Sequence, residues 1–441
     1  MTRPLTGTSI RIRTAEPDDI RPLAELWCDA FPGKRTVAER IRMLEHPGRF
    51  GGLEHVLVAA DEHAGVVGAC KALHMTQYIA GVAMPMMGLA AVAVAPDWRR
   101  QGLGERLCVA AVELAADRGD VLSALYPFRP DYYRRLGWGL VGGLHEYRIR
   151  TDAIQAGRIS SHIRDARLER DTEAIAACYR RVAVASNGPL ERDRHIWAYQ
   201  LEGVDLGAQP VDADALWTAR AEPAYRVVVH DDGDVTGYAL LRGLRQDTSA
   251  HNTLEVRELV AESDTAYLGL LAHIAAQWDR WPRTHYCARP DELFPELLKD
   301  PRPPRFREVR SLYFPTARIV RGPMLRLVDV PGALRLRRFF DTGQPRTATL
   351  AITVSDEQRP ENRGPWTVRL DAEGAAEVEE NGDGDPDAAL DADAATLARI
   401  FAGELAPGRA ARLGRARVDG DATLLDRAFA ARERFWLLDE F

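Results

Sequence analysis

The chain has 441 residues, too many for one ordinary core, so two to three domains are expected. With 46% hydrophobic and 28% charged residues it reads as globular, and a net charge of −7 argues against nucleic acid as a bulk partner. Five scattered cysteines (Cys28, Cys70, Cys108, Cys178 and Cys287) form no C-x-x-C pair, which predicts neither a disulfide framework nor a metal site.

No apolar signal stretch opens the chain, so a cytoplasmic protein is expected. Residues 10–14 alternate as a first strand. Pro17-Asp18-Asp19 then opens a helix with Leu23, Leu26, Trp27 and Ala30 on one face, and Phe31-Pro32-Gly33 ends it. Strands at 55–60 and 66–73 flank an acidic turn, and 77–80 extends the sheet. Residues 79–96 carry no charge, but Gly81, Pro85 and Gly88 interrupt them. Two strands joined by a turn explain the stretch better than a membrane span.

The stretch 86–114 organises everything around it. An apolar strand stops at Pro96-Asp97, and Arg99, Arg100, Gly102 and Gly104 follow. Leu103, Leu107, Ala110 or Ala111, and Leu114 then recur at helical spacing. A strand that runs through a basic, glycine-bearing turn into a helix suits a phosphate. The first helical N–H groups have no intrahelical partners, and the helix dipole adds positive potential. Gly102 and Gly104 leave room for a pyrophosphate, and the two arginines add charge.

A strand at 121–125 leads into Tyr126-Pro-Phe-Arg-Pro-Asp-Tyr-Tyr-Arg-Arg-Leu-Gly-Trp-Gly139, and a last strand is expected at 144–149. Residues 151–320 then read as a degraded second copy. The strand, acidic turn and Gly-bearing strand of 227–238 echo 56–68; a central strand at 254–260 and a helix at 266–278 follow. Glu262-Ser263-Asp264 stands where the basic turn stood, and its carboxylates would repel a pyrophosphate, so this copy is expected to bind no coenzyme A. From 323 the pattern is that of a small α+β domain: alternation at 324–330, a helix at 331–340, strands at 347–354, 366–370 and 376–379, and helices at 394–401 and 424–429. The Asp-rich run 381–393 reads as a solvated loop. Ala388 and Ala394 occupy the positions where a calcium-binding EF-hand needs Gly and Glu.

The R-x-x-G-x-G spacing from Arg99 to Gly104 resembles the acetyl-CoA signature of the GNAT N-acetyltransferases, and the element order resembles their fold. The order of units, with Tyr133-Arg-Arg-Leu-Gly-Trp-Gly139 and an aromatic last residue, resembles the Eis family of acetyltransferases. The resemblance implies an α+β fold with mixed sheets: a catalytic GNAT domain over 1–150, a degenerate GNAT-like domain over 151–320 and a sterol carrier protein-like domain over 321–441. It further implies acetyl-CoA as co-substrate, no metal, no membrane partner and a homohexamer. The acceptors would be primary amines of polycations such as aminoglycosides or lysine side chains. By the same likeness, Arg99 and the backbone of Arg100, Gln101, Gly102, Leu103, Gly104 and Glu105 hold the pyrophosphate. Val92, Ala93 and Val94 offer backbone groups to the pantetheine arm, and Phe128 and Arg129 line the cofactor.

Acetyl transfer to an amine needs the amine deprotonated, the thioester carbonyl polarised and the departing thiolate protonated. Tyr133 is the candidate acid, since a phenol with pKa near ~10 can deliver that proton and Eis members carry Tyr there. Tyr126 and Tyr132 are its neighbours. Residues 86–95 contain no carboxylate, and a lone His74 is more simply structural, so the base must arrive from elsewhere. The ending Glu433-Arg-Phe-Trp-Leu-Leu-Asp-Glu-Phe441 is apolar and aromatic enough to dock rather than fray. In the Eis family the terminal α-carboxylate enters the active site as base, and Phe441 fits that role. Its reference pKa of about 3.3–3.7 would need burial or a bridging water. Asp29, Phe31, Asp439 and Glu440 are the nearest acidic and aromatic candidates for a cationic acceptor. Two rival readings are an enzyme for one dedicated metabolite or protein lysine, and a lipid-binding or scaffold protein working through its third domain.

Overall fold

The computed structural model describes residues 10–33, 35–46, 48, 51–158, 160–202, 225–304, 314–340, 343 and 346–441. Strand β1 (Arg11–Thr14) leads into helices α1 (Ile20–Ala30) and α2 (Val37–Glu45). Three strands, β2 (Val56–Asp61), β3 (Gly65–Ile79) and β4 (Val82–Val94), then form an antiparallel meander. Helix α3 (Leu103–Asp117) crosses over to β5 (Leu122–Leu125), which runs parallel to β4. Leu103, Leu107, Ala111 and Ala115 of α3 are buried with Cys70, Ala72 and Leu89 of the sheet, as their helical spacing requires. Short α4 (Pro130–Arg135), β6 (Gly139–Leu140) and β7 (Leu144–Arg150) follow.

The second unit holds β8 (Ile163–Asp165), α5 (Leu168–Ala185), α6 (Arg194–Glu202), β9 (Arg226–Asp231), β10 (Val235–Leu244), β11 (Thr253–Ala261), α7 (Asp264–Ala275), β12 (Arg283–Ala288) and β13 (Arg318–Val320), and β14 (Met324–Leu327) follows it in the chain. The run β9-β10-β11-α7-β12 repeats β2-β3-β4-α3-β5, with the same antiparallel meander and the same parallel closing strand. The third unit is α8 (Val330–Leu336), β15 (Ala348–Ser355), β16 (Trp366–Leu370), β17 (Ala376–Glu380), β18 (Ala388–Asp393), α9 (Ala394–Phe401), α10 (Pro407–Arg412), β19 (Ala416–Gly420) and α11 (Ala422–Ala428). Its five-stranded sheet has the order β17-β16-β15-β18-β19.

Two strands lie in sheets other than those expected. β7, read as the last strand of the first unit, pairs with β12 and β13 in the second sheet. In exchange β14, read as the opening of the third unit, inserts between β5 and β6 in the first sheet. All four β5 residues and all four β14 residues are buried, which suits neighbouring strands inside a sheet. The alternation of 324–330 does not mark a wet face, because Arg326 is fully buried. Its guanidinium donates to both carboxylate oxygens of Asp356, at 2.8 and 2.7 Å, and to the Leu136 carbonyl at 2.6 Å.

The Asp-rich run also differs from the solvated loop expected over 381–393. Residues Ala388–Asp393 form β18, parallel to β15, with Ala388, Leu390 and Ala392 buried. The aspartates beside it satisfy backbone donors. Asp387 accepts from the Thr349 N–H at 2.8 Å, and Asp393 caps α9 by accepting from the Thr396 N–H at 2.6 Å. The helix expected over 331–340 stops at Leu336. One core cluster joins Met84 and Met86 of the first sheet, through Leu325 and Leu327, to Ile352, Val368 and Leu397 of the third unit. Among the described residues no helix is long and apolar enough to cross a membrane.

Candidate active site

Parallel pairing of β4 with β5 covers only Met86–Gly88 against Leu122–Ala124. β4 continues six residues further to Val94, while β5 ends at Leu125. The β3–β4 register slips between Ala69 and Lys71, leaving one extra residue on β4, and Ala91 takes a φ of +50°. Such a bulge bends its strand, and the Trp27 indole N–H holds this one by donating to the Ala91 carbonyl at 2.9 Å. Beyond Gly88 the strands therefore part, and β5 gives Val92, Ala93 and Val94 no ladder partner.

The turn after β4 is pinned by its own side chains. Arg99 Nε donates to the Val94 carbonyl at 2.9 Å, and Gln101 Nε2 to the Asp97 carbonyl at 3.0 Å. Gly102 precedes α3 with φ +78° and no side chain caps the helix. The Arg106 N–H makes the first helical bond, to the Gly102 carbonyl at 3.0 Å. The N–H groups of Leu103, Gly104 and Glu105 thus lack a helical acceptor. A Cβ on Gly102 would meet no atom within 4 Å, and the Arg99 and Arg100 side chains are exposed. An open, cation-flanked helix start of this kind fits a diphosphate. At Gly104 a Cβ would lie 3.0 Å from the Tyr132 hydroxyl, so the missing side chain also makes room for Tyr132.

Tyr133 projects from α4 and is buried, edge-on to Phe128 at 5.6 Å, Tyr132 at 5.1 Å and Trp138 at 6.2 Å between ring centroids. Its hydroxyl makes no hydrogen bond among the described residues. Burial, aided by the nearby Cys108, pushes the phenol pKa above its ordinary value, so the group holds its proton firmly. Phe128 is 69% exposed, and exposed Arg129 pairs loosely with Asp131 at 3.5 Å.

The end of the chain arrives beside this strand pair. A Cβ on Gly88 would come within 2.9 Å of the Phe441 ring, which also lies 5.5 Å from the Tyr126 ring. Phe441 therefore occupies the point where β4 and β5 separate. Tyr126, one residue past β5, donates its hydroxyl to the Asp439 carbonyl at 2.6 Å. Glu440 is exposed and pairs with Arg257 of β11 at 3.1 Å. A cavity of about 170 Å³ opens alongside, with Tyr126, Arg257, His285, Leu437 and Glu440 in its wall. Asp29 and Phe31 stand at the end of α1, one turn beyond the Trp27 that holds the bulge. Neither shares a hydrogen bond, ion pair or ring contact with the tail among the described residues. His74 is engaged structurally, its Nδ1 lying 2.6 Å from the buried Asp120, which also pairs with Arg118 at 2.8 Å. Arg192, Glu258 and the buried side chain of Asp439 were not singled out in sequence as partners, yet they tie the tail to the second unit.

Comparison with known proteins agrees with this architecture. Residues 11–141 match the acetyltransferase (GNAT) domain, and residues 188–327 match a second domain family of the same description. Residues 330–438 match the sterol carrier protein domain. An uncharacterized N-acetyltransferase of Streptomyces griseus is 28% identical across 98% of this chain and 100% of its own length. The N-acetyltransferase Eis of Mycobacterium tuberculosis is 28% identical over 67% of each chain. The crystal structure of Eis1 from Mycobacterium abscessus shares the fold, with a TM-score of 0.75 at 22% identity over 98% of this chain and 100% of that one.

Proposed function

Because the chain is a GNAT N-acetyltransferase of the Eis type, with two GNAT domains and a sterol carrier protein domain and hence a use for acetyl-CoA, we propose that it acetylates primary amines of polycationic acceptors such as aminoglycosides or lysine side chains. Transfer is direct, in the first unit. Acetyl-CoA supplies the acetyl group as an activated thioester. Arg99, Arg100 and the amides from Gln101 to Glu105 bind its diphosphate, Val92, Ala93 and Val94 orient its pantetheine arm, and Phe128 and Arg129 flank it. The Phe441 α-carboxylate takes a proton from the acceptor ammonium, directly or through one water, and Tyr133 Oη gives one to the leaving thiolate. Glu440, Asp29 and Phe31 face the acceptor. A cytoplasmic homohexamer completes the reading.

The observation that carries it is the Phe441 ring packed on Gly88 where β4 and β5 part, on a strand whose residues 86–95 offer no carboxylate. The test is acetyl-CoA consumption across aminoglycosides, polyamines and lysine peptides, with and without residue 441. Turnover on polycationic amines that is lost on deletion is expected. Full activity in a protein extended beyond Phe441 overturns the role of its carboxylate, and turnover on a single unrelated amine overturns the acceptor class.

A further inference from the structure

We propose that Arg192 and Asp439 are positioning residues, and that the second GNAT-fold unit works as the mooring of the tail that sets Phe441 at the parting of β4 and β5. The inference rests on the role of Phe441 given above and adds the residues that place it. Arg192 is wholly buried, and its two terminal nitrogens donate to Glu258 Oε1 and Oε2 at 2.9 and 2.7 Å. Its Nε donates to Asp439 Oδ1 at 2.8 Å. The guanidinium also stacks 3.9 Å from the centre of the Tyr179 ring. One cation thus holds two buried carboxylates, from a strand and from the tail.

A buried ion pair is a poor route to stability, since its desolvation rivals its attraction. Holding a short segment in one register is a use that fits it. The position supports that use at both ends. Glu258 lies beyond Val256, the last β11 residue paired with β12, and beside a bulge at Arg257. The tail therefore meets the second unit where β11 loses its partner, just as Phe441 meets the first where β4 does. Arg192 directly follows a segment laid along β3, with the Glu191 N–H bonded to the Thr76 carbonyl at 2.9 Å and the Tyr78 N–H to the Pro189 carbonyl at 2.9 Å. The anchor is thus fixed to the first sheet as well. Only Glu440 stands between Asp439 and Phe441, a span of at most about 7 Å of chain, so a fixed Asp439 leaves Phe441 little freedom.

The experiment compares wild type, Asp439→Asn and Arg192→Lys in the full-length enzyme, each with and without residue 441. Because the arginine variant can fail to fold, the near-isosteric Asp439→Asn carries the test, with the melting temperature as control. Carboxypeptidase release of Phe441 is expected to quicken at least about tenfold, and kcat to fall on the order of tenfold to a hundredfold while KM for acetyl-CoA moves less than about twofold. Without residue 441, Asp439→Asn is expected to change nothing further. Unaltered release, a matching change in KM, or an additive loss in the truncated protein overturns the mooring. If truncation alone leaves kcat intact, the reading of Phe441 fails instead, and the release rates then judge the mooring by themselves.

Discussion

The joint between β4 and α3 and the joint between β11 and α7 occupy the same place in two copies of one fold, and they are finished in opposite ways. In the first, Gly102 enters the helix with positive φ, no side chain caps it and two exposed arginines flank it. In the second, Ser263 caps α7 by accepting from the Ala266 N–H at 3.3 Å, and the adjacent Glu262 is paired with Arg181 at 2.6 Å. The second joint satisfies with its own side chain one of the helix-start donors that the first leaves open. The central strands invert the same relation. β11 has a carboxylate, Glu258, and commits it to Arg192, whereas residues 86–95 of the first copy have none and the tail comes to them. The two copies of one fold thus differ at the same joint: the first starts its helix uncapped between two exposed arginines, and the second is capped by Ser263 with Glu262 paired to Arg181.

The comparison can be broken at either joint. The largest effect is expected from deleting Phe441, which should cost kcat about 10²- to 10⁴-fold in an acetyl-CoA consumption assay while the melting temperature holds. Tyr133→Phe should follow, with a loss on the order of a hundredfold in kcat. Because burial raises the Tyr133 pKa and the acid must be protonated, the wild-type rate should fall on the alkaline side only above the ordinary phenol value of about 10. A pH–rate profile that declines well below that value would remove Tyr133 from the role.

Gly102→Val acts on the first joint alone. A β-branched residue at φ +78° is strained, and isothermal titration should show about tenfold weaker acetyl-CoA binding, equivalent to ~1.4 kcal/mol. Wild type should take up one acetyl-CoA per chain; two would mean that the capped joint binds as well. The smallest effect is expected from Ser263→Ala, which removes a helix cap worth about 1 kcal/mol. It should lower the melting temperature slightly and leave acetyl-CoA binding unchanged.

Much of the fold was legible because it is written locally. The strand-turn-strand of 227–238 echoes 56–68 through turn chemistry, and α3 follows from apolar spacing within a few turns. β7 and β14 were legible as strands but not as members of their sheets. Alternation says that a strand exists, while its neighbour depends on which edge stands open, here the free edge of β5. The burial of Arg326 within the alternating stretch is not legible locally, because its partner, Asp356, lies 30 positions away. β18 was hidden by aspartates that turn out to bond backbone N–H groups.

For the candidate site the division follows the range of the interactions involved. The amino-acid sequence by itself determined the joint from Arg99 to Gly104, because a strand end, a glycine turn and a helix start are set by neighbours in the chain. Only the tertiary structure decided that Phe441 meets Gly88 and that Asp439 meets Arg192, which lies 247 positions away. Buried charges find one another only after three units have packed together, and no local pattern records that meeting.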